Sequence, residues 1–230
     1  MTTRQKIDLV YIYHKKKEDI DNLKISKLKF SISTALKFLQ CLDKIFIVTE
    51  NNQVHNFKDI LDEKIVIIDH STLIPQMYLP TFNSETTESY LHCIPHLSEY
   101  FLFNKKYYPF TDLVSYGDLI TTNGKFNIYN SPIVDRLQSE PIRFLSRVLW
   151  TKNLLKKLMY IIKDIDFVND NHCIKILRKN TLRTIEIIFS EELHKMRSCK
   201  ITTATMFQYM YLAINFDHML KKNHVVTLNQ

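Results

Sequence analysis

Glycine is nearly absent. The 230 residues hold only Gly117 and Gly124. Neither a P-loop nor a dinucleotide fingerprint can be written with so few, because both cradle phosphate in a glycine-rich backbone. A phosphate site here must use side chains or helix N-termini. Cysteine is also scarce, and Cys41, Cys93, Cys173 and Cys199 form no CxxC pair. Neither a zinc site nor a disulfide framework is expected from that spacing. No apolar run is long enough to span a bilayer. The N-terminal stretch IDLVYIY is short and carries Asp8, so no signal peptide is expected. The expected setting is cytosolic and reducing, with a peripheral place at the inner face of a membrane as an extension of it.

What is present is ordinary for a globular α/β protein: 45% hydrophobic and 24% charged residues. The net charge of +7 suits an anionic partner such as a nucleotide, a polyanion or a membrane surface, or serves solubility alone. The basic residues are spread along the chain and no nucleic-acid-binding motif occurs, so no nucleic-acid partner is expected.

Three runs, IDLVYIY (7–13), DKIFIVT (43–49) and KIVIID (64–69), are rich in Ile and Val and almost continuously apolar. That pattern marks strands buried on both faces of a parallel sheet. Between the first two, Phe30, Ala35, Leu36, Leu39 and Leu42 approximate a helical stripe. VHNFKDILD can hold a short helix before the third. The β-α-β-α-β order predicts right-handed crossovers and a doubly wound sheet. Pro75 and Pro80 make the next stretch a loop. A helix is predicted from a Ser84 cap to near Pro95, with Glu85 in its first turn. Residues 100–104 read as a further strand, followed at once by Lys105 and Lys106. Asn123-Gly124 signals a turn before another strand.

From Glu140 the pattern is helical. Pro141 suits a first helical position, and Phe144, Val148, Leu155, Met159 and Ile162 recur at near-helical spacing. The basic residues of that helix, 141–163, are expected in solvent with the helix packed on the sheet; docking to anionic lipid is the alternative. NDNH (169–172) reads as a turn, CIKILRKNTLRTIEIIFSEEL and TTATMFQYMYLAINF as helices, and HVVTL as a closing strand. A sheet-bearing part (1–135) and a helical part packed on it (136–230) are expected to form one integrated domain.

The stretch from Asp43 to Asn104 resembles the Stealth family of hexose-1-phosphate transferases. The pieces are LKFSISTALKF, DKIFIVTENNQ, KIVIIDH, IPQMYLPTFNS, ESYLHCIPHLSEYFLFN and DLITTNGKFNIY. IDLVY matches near the N-terminus, and residues 169–200 match more thinly. The resemblance implies a glycosyltransferase-A-like, mostly parallel sheet with a C-terminal helical part. It also implies transfer of a sugar with its phosphate from a nucleotide sugar to a saccharide hydroxyl, in capsule or surface polysaccharide synthesis. Such chemistry needs a base for the hydroxyl, positive charge at the phosphoryl oxygens, and in-line positioning.

Site residues follow from the same resemblance. Asn83, Ser84, Glu88 and His92 lie in its most characteristic motif and are assigned to sugar-nucleotide binding. On pattern alone, Ser84 is a cap and Glu88–His92 a structural pair four residues apart. Thr49 and Gln53 are nucleotide contacts, while Asp69 and His70 orient a loop. Asp8 is a substrate contact or a buried structural carboxylate, which would need hydrogen-bond partners. His172 is the candidate general base and Arg197 the phosphate-binding arginine, whose planar fork suits phosphate oxygens.

The pattern also breaks. The family strand ends Asn-Asp-Asp, and here it ends Asn104-Lys105-Lys106. The family usually has histidine where Glu85 stands, and Lys29 replaces an arginine. The family's Mg²⁺ is therefore not expected at 105–106, since an ammonium offers no ligand oxygen. Two readings remain open. In one, Asn104 and Lys105 serve catalysis and lysine supplies the cation's charge without a metal. In the other, the fold survives as a non-catalytic nucleotide-sugar-binding or partner module.

Overall fold

The computed structural model describes residues 6–14, 21–57, 59–60, 62–130, 142–158, 168, 174–203, 206–220 and 223–227. Its elements in chain order are β1 (Ile7–Tyr13), α1 (Asp21–Phe38), β2 (Leu42–Thr49), β3 (Ile65–Asp69), α2 (Ser84–Ser89), β4 (Tyr100–Phe103), α3 (Tyr116–Leu119), β5 (Phe126–Asn130), α4 (Ile142–Leu158), β6 (Lys175–Arg178), α5 (Lys179–Ile188), α6 (Ser190–Ser198), α7 (Tyr209–Met219) and β7 (Asn223–Thr227).

The main sheet has the order β3-β2-β1-β4-β6. The first four strands are mutually parallel, and β6 closes the edge antiparallel to β4. The α/β class and the mostly parallel sheet are as expected from the sequence, with the glycosyltransferase-A-like layout the resemblance implied. β1 is buried along its whole length because it is the central strand, covered on both faces. Its alternating side chains feed two cores. Ile7, Leu9, Tyr11 and Tyr13 pack with Leu28, Ile32, Ala35 and Leu39 of the α1 layer. Val10 and Ile12 pack with Leu182 and Ile185 of α5, Leu193 and Met196 of α6, and α7. Each fully buried Leu, Ile or Val contributes roughly 1.5–3 kcal/mol.

Several expectations change. Phe30 is 61% exposed, so the buried stripe of α1 runs through Leu28, Ile32 and Ala35, and Leu42 begins β2. The segment before β3 forms a 3₁₀ helix, Asn51–Phe57. The helix predicted from Ser84 toward Pro95 stops after six residues and continues as a separate 3₁₀ turn, Leu91–Cys93. Its cap is Asn83, one residue earlier than expected, because the Asn83 side chain accepts from the Glu85 N–H. The segment 173–193, read as one helix, divides among β6, α5 and the start of α6, because β4 needs a backbone partner on its outer edge. The closing strand β7 pairs with β5 in a two-stranded parallel sheet. No helix among the described residues is long and apolar enough to cross a membrane.

Candidate functional site at the ends of β4 and α2

The turn after β4 is rigid for a stated reason. Asn104 is fully buried. Its Oδ1 accepts from the Tyr108 N–H at 3.0 Å, and its Nδ2 donates to the Tyr108 carbonyl at 2.8 Å and to Ser31 Oγ at 3.2 Å. Tyr107 takes a left-handed backbone, φ 58°, which costs a non-glycine residue about 1–3 kcal/mol. Its hydroxyl, donating to the Ile12 carbonyl at 2.7 Å, and its buried ring offset that strain. Asn104 thus shapes the turn that presents Lys105, while Lys106 is exposed.

Lys105 meets α2. Its Nζ lies 2.5 Å from Glu88 Oε1 and 3.8 Å from Glu85 Oε1. Both carboxylates are buried, whereas the Lys105 side chain is 38% exposed. Glu85 also accepts from Arg147 Nη2 and, through Oε2, from the Tyr209 N–H at 2.8 Å. Thr151 fixes Arg147's stretch of α4, donating to the Arg147 carbonyl at 2.9 Å and accepting from the Gln208 N–H at 2.8 Å. Lys175 opens β6 opposite Phe103 and is buried near the same charges. Two carboxylates, the cations of Lys105 and Arg147 and the buried amine of Lys175 therefore converge at the carboxyl ends of the parallel strands, where ligands sit in open α/β sheets.

The electrostatics are uneven. Burial would raise Glu85, but Lys105, Arg147 and the Tyr209 N–H outweigh it and hold its carboxyl below the usual range. Burial pushes Glu88 up to about 7, with Lys105 pulling it down and Glu85 pushing it up. Its Oε2 is buried and makes no hydrogen bond among the described residues. Burial lowers Lys175 to about 7, with the Lys105 charge acting the same way. Burial would also lower Lys105, but Glu88 and Glu85 reverse the shift and keep it charged.

Asn83 holds α2 in place. Its Nδ2 donates to the Met196 carbonyl at 3.1 Å and the Cys199 carbonyl at 3.3 Å, at the end of α6. Its Oδ1 accepts from the Glu85 N–H at 3.2 Å and the Thr202 hydroxyl at 3.0 Å. Ser84 is the first residue of α2 and half-buried. His92 lies beyond the end of α2, so the shared helical face with Glu88 does not form. Burial lowers its imidazole's pKa. Arg197 is 3% exposed. Its guanidinium donates to Ser89 Oγ at 2.9 Å and Glu186 Oε1 at 2.7 Å, contacts Glu186 Oε2, and stacks 4.1 Å over the Tyr90 ring. The arginine is thus buried, and its fork is already filled by a carboxylate.

The remaining candidates lie elsewhere. Both oxygens of Asp8 accept backbone N–H groups, from Lys44 at 3.0 Å and Ser98 at 2.7 Å. That meets its need for partners by bracing β1 to the chain beside it. Thr49 is fully buried at the end of β2, and Gln53 is buried in the turn after it. His172 lies outside the described residues. Lys175 was missed because a lysine in a basic segment reads as solvated; its register opposite Phe103 decides otherwise. The place of the family's acidic pair holds Lys105 paired to Glu88, so the residues there do not fit a magnesium ion.

The fold and this site define an α/β protein of glycosyltransferase-A type with a charged cluster at its carboxyl edge. Residues 22–135 match the family description "Stealth protein CR2, conserved region 2". Three relatives agree. The capsular polysaccharide phosphotransferase cps1A of Actinobacillus pleuropneumoniae is 41% identical over 78 residues, covering 34% of this chain and 21% of the relative. The capsular polysaccharide phosphotransferase LcbA of Aeromonas hydrophila is 47% identical over 77 residues, with the same coverage. The receptor polysaccharide phosphotransferase WefC of Streptococcus oralis is 37% identical over 100 residues, 43% of this chain and 30% of the relative. This chain belongs to the Stealth family. The match spans about a fifth of the length of the first two relatives, and IDLVY and residues 169–200 fall outside the matched stretch.

Proposed function

We propose that the chain is a sugar-phosphate transferase that moves hexose-1-phosphate from a nucleotide sugar to a saccharide hydroxyl in surface polysaccharide synthesis. The observation that carries this reading is the cluster of Lys105, Glu88, Glu85 and Arg147 at the ends of β4 and α2, with the buried Lys175 near enough to feel Lys105 and Glu88. Within it burial drives both Glu88 and Lys175 to about 7. Such convergence suits proton transfer at neutral pH. In the proposed step the acceptor oxygen bonds to the phosphorus bearing the sugar, and the phosphorus–oxygen bond to the nucleoside monophosphate breaks. The hydroxyl proton passes to neutral Lys175. Lys105, Arg147 and the new Lys175 ammonium face the charge that builds on the phosphoryl oxygens.

The second reading, a binding or partner module without turnover, is favoured by one specific feature. Lys105 and Arg197, the two groups suited to phosphate, are already partnered by Glu88 and Glu186. The deciding experiment incubates the purified chain with a panel of nucleotide sugars and saccharide acceptors, with and without added magnesium. Release of nucleoside monophosphate that is lost in Lys175→Met supports the transferase. Saturable nucleotide-sugar binding with no release across the panel supports the module and overturns the transferase.

A further inference from the structure

A second group of side chains gathers at the ends of β1, β2 and β3. His14, Glu50 and His70 each follow directly on one of these strands. The parallel register Tyr13–Thr49 and Thr49–Asp69 sets them side by side. One ligating atom from each lies within 4.8 Å of the others. His14 Nδ1 is 3.7 Å from Glu50 Oε1, and the two imidazole centroids are 5.8 Å apart. A hydrogen bond between His14 Nε2 and Thr87 Oγ1, 3.2 Å, fixes the ring so that Nδ1 faces the group.

Both Nδ1 atoms, of His14 and of His70, are buried and make no hydrogen bond among the described residues. Leaving such an atom unsatisfied costs about 1–3 kcal/mol. His70 is 9% exposed, and burial, with His14 beside it, holds it toward the neutral form that binds metal. Glu50 is held ionised, first by its interaction with His14. The three side chains thus present two imidazole nitrogens and one carboxylate.

We propose that His14, Glu50 and His70 form a site for a divalent first-row transition metal ion, with zinc as its probe. Imidazole nitrogens favour such ions over magnesium, which prefers oxygen ligands. Ligand atoms on a tetrahedral zinc are roughly 3.4 Å apart, so small side-chain rotations close the present separation. Three protein ligands leave a fourth position open, as in catalytic zinc sites. The site does not rest on the transferase reading, because binding alone reports it.

The test dialyses the metal-free full chain against zinc in the presence of excess magnesium and counts bound zinc by mass spectrometry. One zinc per chain is expected, with a zinc-dependent rise in Tm. His14→Asn, Glu50→Gln and His70→Asn each weaken binding at least roughly 10–100-fold, the loss produced by altering a group that merely supports a ligand. Metal-free Tm values separate this loss from misfolding. If a variant does not fold, the visible spectrum of the cobalt-loaded wild-type chain decides: nitrogen and oxygen ligation supports the site, and a thiolate charge-transfer band overturns it. No saturable zinc, or zinc retained in the His14→Asn/His70→Asn double variant, also overturns it.

Discussion

Lys105 Nζ lies 2.5 Å from Glu88 Oε1, joining the turn after β4 to a six-residue helix. The lysine that stands where the family keeps a carboxylate is thus answered by carboxylates of its own. Removing it leaves Glu85 and Glu88 facing each other with less compensation. Lys105→Ala is expected to destabilise the fold by about 2 kcal/mol. This is below the ~3–5 kcal/mol of a fully buried pair, because the Lys105 side is partly screened by solvent. Adding Glu88→Gln should recover part of the loss. Urea unfolding of the double-mutant cycle measures the coupling, and simple additivity would reject the pair as a stabilising contact.

The pH dependence of stability follows from the two buried groups near neutrality. Glu88 has a folded pKa above its ordinary value of 4.5, so its contribution is present below about 4.5 and lost as pH rises to about 7. Lys175 has a folded pKa below its ordinary 10.5, so stability rises with pH from about 7 to 10.5. Their combined contribution is lowest near pH 7. Lys175→Met should therefore stabilise the chain most at and below pH 7, with the advantage vanishing toward pH 10.5. A pH-independent difference in unfolding free energy would contradict the burial of that charge.

If Lys175 is the base, turnover should fall as pH drops below about 7, and Lys175→Met should lower kcat by about 10²–10⁴ while leaving nucleotide-sugar binding intact. His172→Ala is the competing variant. The one that loses turnover but keeps binding identifies the base; equal rates in both cases would reject each.

Arg197 bridges α6 to Glu186 on α5 and to Ser89 of α2. Arg197→Ala is expected to cost about 3 kcal/mol, since it leaves Ser89 and Glu186 without their partner under a buried ring. Arg197→Lys should recover only part, because an ammonium cannot reproduce the two-pronged contact. Thermal unfolding distinguishes these from a phosphate-binding role, which would weaken ligand binding and leave Tm unchanged.

The continuous Ile and Val runs made β1, β2 and β3 legible, because a strand buried on both faces has no polar side to disguise it. Tyr100–Phe103 was legible for the same reason. β6 was not. Its KILR carries two basic residues and continues into a helix, so only the need of β4 for an antiparallel neighbour reveals it. Likewise Lys105 was visible as an anomaly, but its answer was not. Glu85 and Glu88 lie one turn apart on α2, but Lys105 and Arg147 come from other segments, and no local spacing records that they converge there. His14 passed unremarked because its meaning lies in two other strand ends.

The short helix α2 leaves its stretch of chain unusually intolerant of changes in length. Asn83 ties its start to α6, Thr87 reaches His14, Glu85 and Glu88 hold Lys105, and Ser89 meets Arg197, all within seven residues. A helix turns about 100° per residue. One residue inserted between Asn83 and Ser89 would swing each later side chain away from its partner, disconnecting the sheet edge from the helical layer in a single event.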